Sequence, residues 1–137
     1  MQNLQGQAIS ELPLCGVISV SLVSNISLDE TFDTFKKLTK KTNGWKGRTN
    51  HAERVKVLKH FNVKFKEFHF KKKITLSYFV DQHTVKGKTY IVTTSNHIQV
   101  VKDGIVTDQT GSFPISKYWA KKQRLDATQL EIKTGRK

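Results

Sequence analysis

The stretch TSNHIQVVKDGIVTDQTG, residues 94–111, decides how this chain is read. Asp103-Gly104 lies between two alternating runs, and Asp-Gly favours a two-residue hairpin turn because both positions tolerate positive φ. Such a turn pairs Lys102 with Ile105, Val101 with Val106, Val100 with Thr107, Gln99 with Asp108 and His97 with Thr110. Side chains alternate across a strand, so His97, Gln99, Val101, Val106, Asp108 and Thr110 share one side. His97 is then diagonal to Asp108, about 7–8 Å away between backbones, a gap that two long side chains bridge. A carboxylate that accepts from one imidazole nitrogen fixes the tautomer and stabilises the imidazolium, leaving the other nitrogen to deprotonate a nucleophile. On the hairpin alone the plainer reading of the same face is a solvated one, since His, Gln, Asp and Thr are ordinary exposed strand residues.

Upstream of the hairpin, KTYIVTTSN is β-rich, ITLSYFVDQH has the character of a short helix, and VKFKEFHF (63–70) alternates as a strand as far as Glu67. HAERVKVLKHF places Val55, Leu58 and Phe61 along one side of another short helix, behind a polar loop, GWKGRTN, at 44–50. The helix signal is strongest at Ser27. Glu30 stands at capping-box spacing, Leu28, Phe32, Phe35 and Leu38 recur at helical intervals, lysines 36, 37, 40 and 41 follow, and Asn43-Gly44 is expected to end the run. CGVISVSLV is ambiguous: Ile18, Val20 and Leu22 alternate with serines as in a strand, although a buried helix tolerates the same pattern.

At 137 residues one domain is expected, with an irregular lead-in over 1–13, a helical part over 14–61, a sheet carrying the hairpin over 63–111 and a C-terminal extension over 112–137. That extension is expected either to continue the sheet or to lie over it, with fraying last residues. Cys15 is the sole cysteine, which rules out an intramolecular disulfide and a multi-cysteine zinc site and suits a cytoplasmic chain. LPLCGVISVSLVSNISL is too short and polar to span a bilayer, and no basic segment precedes it, so neither a targeting segment nor a membrane partner is expected. The histidines lack H-x-x-x-H and H-E-x-x-H spacing and GWKGR lacks the P-loop pattern, so no metal or other cofactor is expected.

A lone cysteine with His and Asp elsewhere in the chain is a candidate nucleophile, and an inert buried thiol is the plain alternative. Three blocks bear on the choice: LCGVISVSLVSNISLDETFDTFKKL (14–38), KGRTN (46–50) with the helix after it, and KTYIVTTSNHIQVVKDGIVTDQTG. In that order they resemble the small papain-like cysteine peptidase domains, particularly phage-encoded ones, over residues 12–111. The resemblance implies an α+β papain-like fold, N-terminal helices packed on a C-terminal antiparallel sheet, and a helix rather than a strand at 15–23. It implies Cys15 as nucleophile, His97 as base and Asp108 as orienting group in the hydrolysis of a peptide or isopeptide bond, acting in the host cytoplasm if phage-encoded. The amide such enzymes carry just before the cysteine is replaced here by Pro13-Leu14. Gln5 and Gln7 are the nearest upstream amides, and Asn96 and Gln99 are further candidates for an oxyanion or supporting role.

Twenty-four Lys and Arg against eleven Asp and Glu give a charge of +13, which attracts acidic partners. Lys46, Arg48, Lys71, Lys72, Lys73, Lys121 and Lys122, with Trp119 and neighbouring aromatics, are candidates for a basic binding surface. That surface suits an acidic protein or peptide substrate, or nucleic acid held by phosphate neutralisation and base stacking. A non-enzymatic basic module on a papain-like fold that has lost activity is therefore the competing expectation. Oligomeric state is left open.

Overall fold

The computed structural model describes residues 13–95 and 97–134. The lead-in before Pro13, with Gln5 and Gln7, lies outside the described residues, as do Asn96 and the last three residues.

Three helices come first: α1 (Cys15–Ser24), α2 (Leu28–Leu38) and α3 (His51–His60). They are followed by β1 (Lys64–His69), α4 (Leu76–His83), β2 (Thr89–Thr94), β3 (His97–Lys102), β4 (Ile105–Asp108), β5 (Gly111–Pro114) and β6 (Thr128–Thr134). The strands form one six-stranded antiparallel sheet in the order β1-β6-β2-β3-β4-β5. Helices α1–α3 cover one face, where Leu14, Val17, Val20, Phe32, Phe35, Val57 and Leu58 pack with Ile91, Val100 and Leu130 from the strands. The other face carries α4 and the 115–125 segment, packing Phe79, Tyr118 and Leu125 on Tyr90, Val92, Val101 and Val106.

Residues 15–24 are helical, against their strand-like alternation, because this helix is enclosed. Gly16, Val17, Ser19, Val20 and Ser24 are all buried, so its serines lie inside with the apolar residues. Two of them are accommodated by returning hydrogen bonds to the backbone: Ser19 Oγ to Cys15 O at 2.8 Å and Ser21 Oγ to Ile26 O at 2.6 Å.

In α2 the Ser27 hydroxyl accepts from Glu30 N at 3.1 Å, and Leu28, Phe32 and Phe35 are buried. The helix stops before Asn43-Gly44: Lys40 adopts φ 56° and Lys41 N bonds to Lys36 O, a left-handed C-terminal turn made without glycine. Asn50 and Glu53 form the reciprocal capping box of α3; of the expected stripe Leu58 and Phe61 are buried and Val55 is partly buried against the same core, and Arg54 and Val57 are buried with them.

At the hairpin, Asp103 (φ 51°) and Gly104 (φ 78°) make the expected two-residue turn, and the ladder Lys102–Ile105, Val101–Val106, Val100–Thr107 has the expected register. Its polar face is not solvated, since Gln99, Val101, Val106 and Asp108 are all buried beneath the 115–125 segment. The C-terminal region both extends the sheet and crosses it. β5 lengthens one edge, residues 115–125 traverse the second face, and β6 returns to the interior of the sheet between β1 and β2. β1 is thereby left at an edge, with Phe65 packed toward the α1–α3 core and Phe68 toward the other. No helix among the described residues is long and apolar enough to cross a membrane.

Candidate active site

Leu14 precedes α1 without offering a side-chain cap, so the first-turn amides lack that acceptor, and Cys15 is the first helical residue. Helix α1 packs along β3. The Cys15 thiol there lies beside the His97 imidazole and the backbone N–H of Ile98, both of which act on its ionisation. His97 Nε2 lies 2.8 Å from Asp108 Oδ2, which leaves Nδ1 as the nitrogen for the thiol.

Asp108 is held from several sides. Thr110 donates to Oδ1 through its backbone N–H at 2.8 Å and its hydroxyl at 2.5 Å. Tyr118 donates its hydroxyl to Oδ2 at 2.6 Å and Trp119 its indole N–H at 3.2 Å. The Trp119 ring also leans on His97, with centroids 5.1 Å apart.

These contacts set the charges. Burial alone would raise the Asp108 carboxyl, but hydrogen bonds from His97, Thr110 and Tyr118 outweigh it and hold the group well below the usual carboxylate range. Burial likewise opposes the imidazolium, yet the bonds to Asp108 and Cys15 and their negative charges raise His97 to about 9. For Cys15, burial favours the thiol, and the His97 bond, the Ile98 amide and the positive charges of His97 and Arg54 together bring it below the ordinary thiol value. Burial and the adjacent Asp108 carboxylate raise the Tyr118 hydroxyl, keeping it a proton donor. A thiolate facing an imidazolium is the charge state this arrangement favours.

Both groups open on a cleft of about 710 Å³, lined in part by Pro13, Gly16, Arg48, Thr49, His51, Arg54, Thr94, Trp119 and Asp126. Among the described residues, no three His, Cys, Asp or Glu side chains are grouped to hold a metal ion.

Cys15, His97 and Asp108 are thus brought together, whereas the other expected site residues divide. Gln99 is no oxyanion donor: its NH₂ is spent on Val92 O at 2.5 Å and its Oε1 faces the Tyr118 hydroxyl at 3.3 Å, so it braces the site from within the core. Gln7 and Asn96 lie outside the described residues. Arg48 lines the cleft and Lys46 is exposed beside it. Trp119, grouped by sequence with the basic surface, belongs to the His97–Asp108 pair. Lys71, Lys72 and Lys73 are exposed between β1 and α4. Lys121 and Lys122 lie apart from them, at the start of α4: backbone bonds from Leu76 to Gln123, Ser77 to Lys121 and Leu125 to Ile74 pair the two segments antiparallel, so Lys121 faces Ser77 while Phe70 bonds to Ala127. Most of the interleaved aromatics serve the cores: Trp45 stacks on Phe32 at 4.8 Å, and Phe68 and Phe70 pack around Phe79.

Sequence reasoning missed Tyr118, Thr110 and Arg54 as members of the site. Arg54 had a signal. It shares i, i+3, i+4, i+7 spacing with Val57, Leu58 and Phe61, so a charge falls on an apolar stripe.

No family model and no curated protein matches this chain. Among solved structures it is similar to a double glycine motif protease from an AMS/PCAT transporter, crystallised in complex with the leader peptide. The TM-score is 0.54 at 14% identity, over 98% of this chain and 91% of that one. The fold is papain-like. A papain-like α+β fold accounts for the layout observed: the cysteine at the start of a helix that packs on the sheet, and the histidine on a strand beside it.

Proposed function

We propose that this chain is a papain-like thiol hydrolase that cleaves a peptide or isopeptide bond. The observation that supports it is the continuous contact from Cys15 to His97 to Asp108 at the edge of an open cleft. The Cys15 thiolate attacks the carbonyl carbon and the C=O electron pair moves onto oxygen. His97, as imidazolium, gives its proton to the departing amine as the C–N bond breaks, leaving a thioester. Water then attacks the thioester, His97 takes a proton from it, and collapse of the second tetrahedral species releases the carboxylate product and the thiolate. Asp108 keeps the imidazole oriented and its charge compensated throughout. The backbone N–H groups at the start of α1, which no side chain caps, are the described donors best placed for the oxyanion.

A peptide substrate is favoured by the neighbouring structure's bound leader peptide and an acidic one by the net charge of +13. The test is alkylation of Cys15 by iodoacetamide across pH, alongside cleavage of a peptide library. The reading expects an acid limb well below the free-thiol value of about 8.5 and cleavage abolished in Cys15→Ala. A limb at the free value would overturn it.

A second reading, retention of an acidic protein or nucleic acid without chemistry, is favoured by the run of exposed lysines Lys71–Lys73 and by the net charge of +13. It expects binding that weakens steeply with salt and survives Cys15→Ala. Absent or salt-insensitive binding would remove it.

A further inference from the structure

Arg54 is 3% exposed, an unusual place for a guanidinium. Its Nη1 donates to Thr49 O at 3.0 Å and Thr49 Oγ1 at 2.9 Å, both neutral acceptors. Among the described residues no carboxylate comes within ion-pair distance of it: Glu53, next along α3, is engaged by Lys41 and by the Asn50 amide, and it and Asp126, which shares the cleft lining, attract the guanidinium only from farther off. A buried charge without a counter-charge in direct contact is costly.

The residue against which this pair packs is Gly16, immediately after the cysteine. A methyl built on Gly16 would meet Thr49 Oγ1 at 2.1 Å and Arg54 Cδ at 3.3 Å, so Thr49 and Arg54 lie directly on the backbone at the start of α1. Arg54 and Cys15 line the same cleft. The groups that act on the thiol are His97 from β3, Arg54 from α3 and Tyr118 of the 115–125 segment, while Arg48, His51 and Asp126 line the same cleft.

We propose that Arg54 is a positioning residue for the nucleophile, a permanent buried cation whose counter-charge is the Cys15 thiolate and which Thr49 and the absence of a side chain at Gly16 hold in place. The inference rests on the thiol-hydrolase reading and adds to it a second source of thiolate stabilisation. His97 supplies a charge that titrates, whereas a guanidinium does not lose its proton in the working range. Burial works against the guanidinium; of the attractions that oppose it the strongest is that of Cys15, ahead of Asp126 and Glu53, and the same attraction favours the thiolate. Thiolate character then persists when the imidazole is neutral.

The experiment is the pH profile of iodoacetamide alkylation in Arg54→Met, Arg54→Lys and the parent, with folding checked by circular dichroism. In Arg54→Met the acid limb is expected to move up by about 1 pH unit, the size of effect a nearby opposite charge exerts. In Arg54→Lys, which keeps the charge without the Thr49 fork, it is expected to stay close to the parent's. A merely structural role would lower the melting temperature and leave the limb where it was. A folded Arg54→Met protein with an unmoved limb overturns the proposal. If Arg54→Met does not fold, Thr49→Val decides: it removes one of the two Nη1 acceptors, and the limb moves upward in smaller measure or the proposal fails. A parent limb already at the free-thiol value would instead sink the hydrolase reading, so the two failures are distinguishable.

Discussion

Asp108 holds the Nε2 nitrogen of His97 at 2.8 Å, across a hairpin whose last ladder pair is Val100 with Thr107. The contact is made diagonally, beyond the end of the β3–β4 ladder, and the carboxylate is fixed for it by Thr110, Tyr118 and Trp119. The predictions follow from how this pair is supported.

Replacing Asp108 by Asn keeps the side chain's shape and removes its charge. The imidazolium then loses its compensating partner, and with it much of the reason for Cys15 to ionise. Peptide cleavage is expected to fall by about 10²–10⁴-fold, as in other triads deprived of their carboxylate, with slower alkylation at neutral pH. An Asp108→Asn protein that alkylates and cleaves like the parent would show that the carboxylate is structural only.

Tyr118→Phe removes the hydroxyl that donates to Asp108 at 2.6 Å and faces Gln99 Oε1 at 3.3 Å, leaving buried acceptors one donor short. The expected loss is about 1–3 kcal/mol in urea denaturation, without a change in slope. Because that bond also favours the Asp108 carboxylate, acid unfolding is expected to begin at higher pH than in the parent.

Gly47 adopts φ +113°, and a methyl there would lie 2.5 Å from Leu14 Cδ2. Leu14 is fully buried immediately before Cys15. Gly47→Ala therefore combines strained backbone with a push on the start of α1, and is expected to cost about 1–3 kcal/mol and to slow alkylation. A shift in thermal midpoint without any change at the thiol would separate the loop strain from the site.

The pH dependence of stability carries a distinctive sign. His97, raised to about 9, contributes stability that is fully present below its free value near 6.5 and is lost as pH rises through about 9. Cys15 is lowered, so its contribution is present above the free thiol value near 8.5 and is lost as pH falls. Between about 6.5 and 8.5 the two dependences oppose each other. Thermal midpoints are expected to rise from acid pH, as Asp108 and Cys15 ionise, to level off across that window, and to decline through about 9. In Cys15→Ala the offset is gone and His97 keeps only Asp108 as a partner, so its loss is expected to be smaller and nearer neutrality. A parent curve falling steadily from pH 6.5 would exclude the thiolate–imidazolium pair.

The sequence by itself determined what short-range chemistry controls. Asp103-Gly104 set the hairpin register, and with it the diagonal of His97 and Asp108. Ser27 and Glu30 located the start of α2. Each of these depends on dihedral preferences and hydrogen bonds within a few residues.

Tertiary structure decided which surfaces were closed. Whether the His97–Asp108 face met water or protein depended on the 115–125 segment crossing it, and that path depends on β6 pairing between β1 and β2 at the far end of the chain. The crossing segment placed the Tyr118 hydroxyl against Asp108, and packing on the opposite face made a helix of CGVISVSLVS and drew Arg54 inside beside Gly16. Burial is a property of the whole packed chain, and it decides both which polar groups must find partners and which charges shift, so no local pattern of residues contained it.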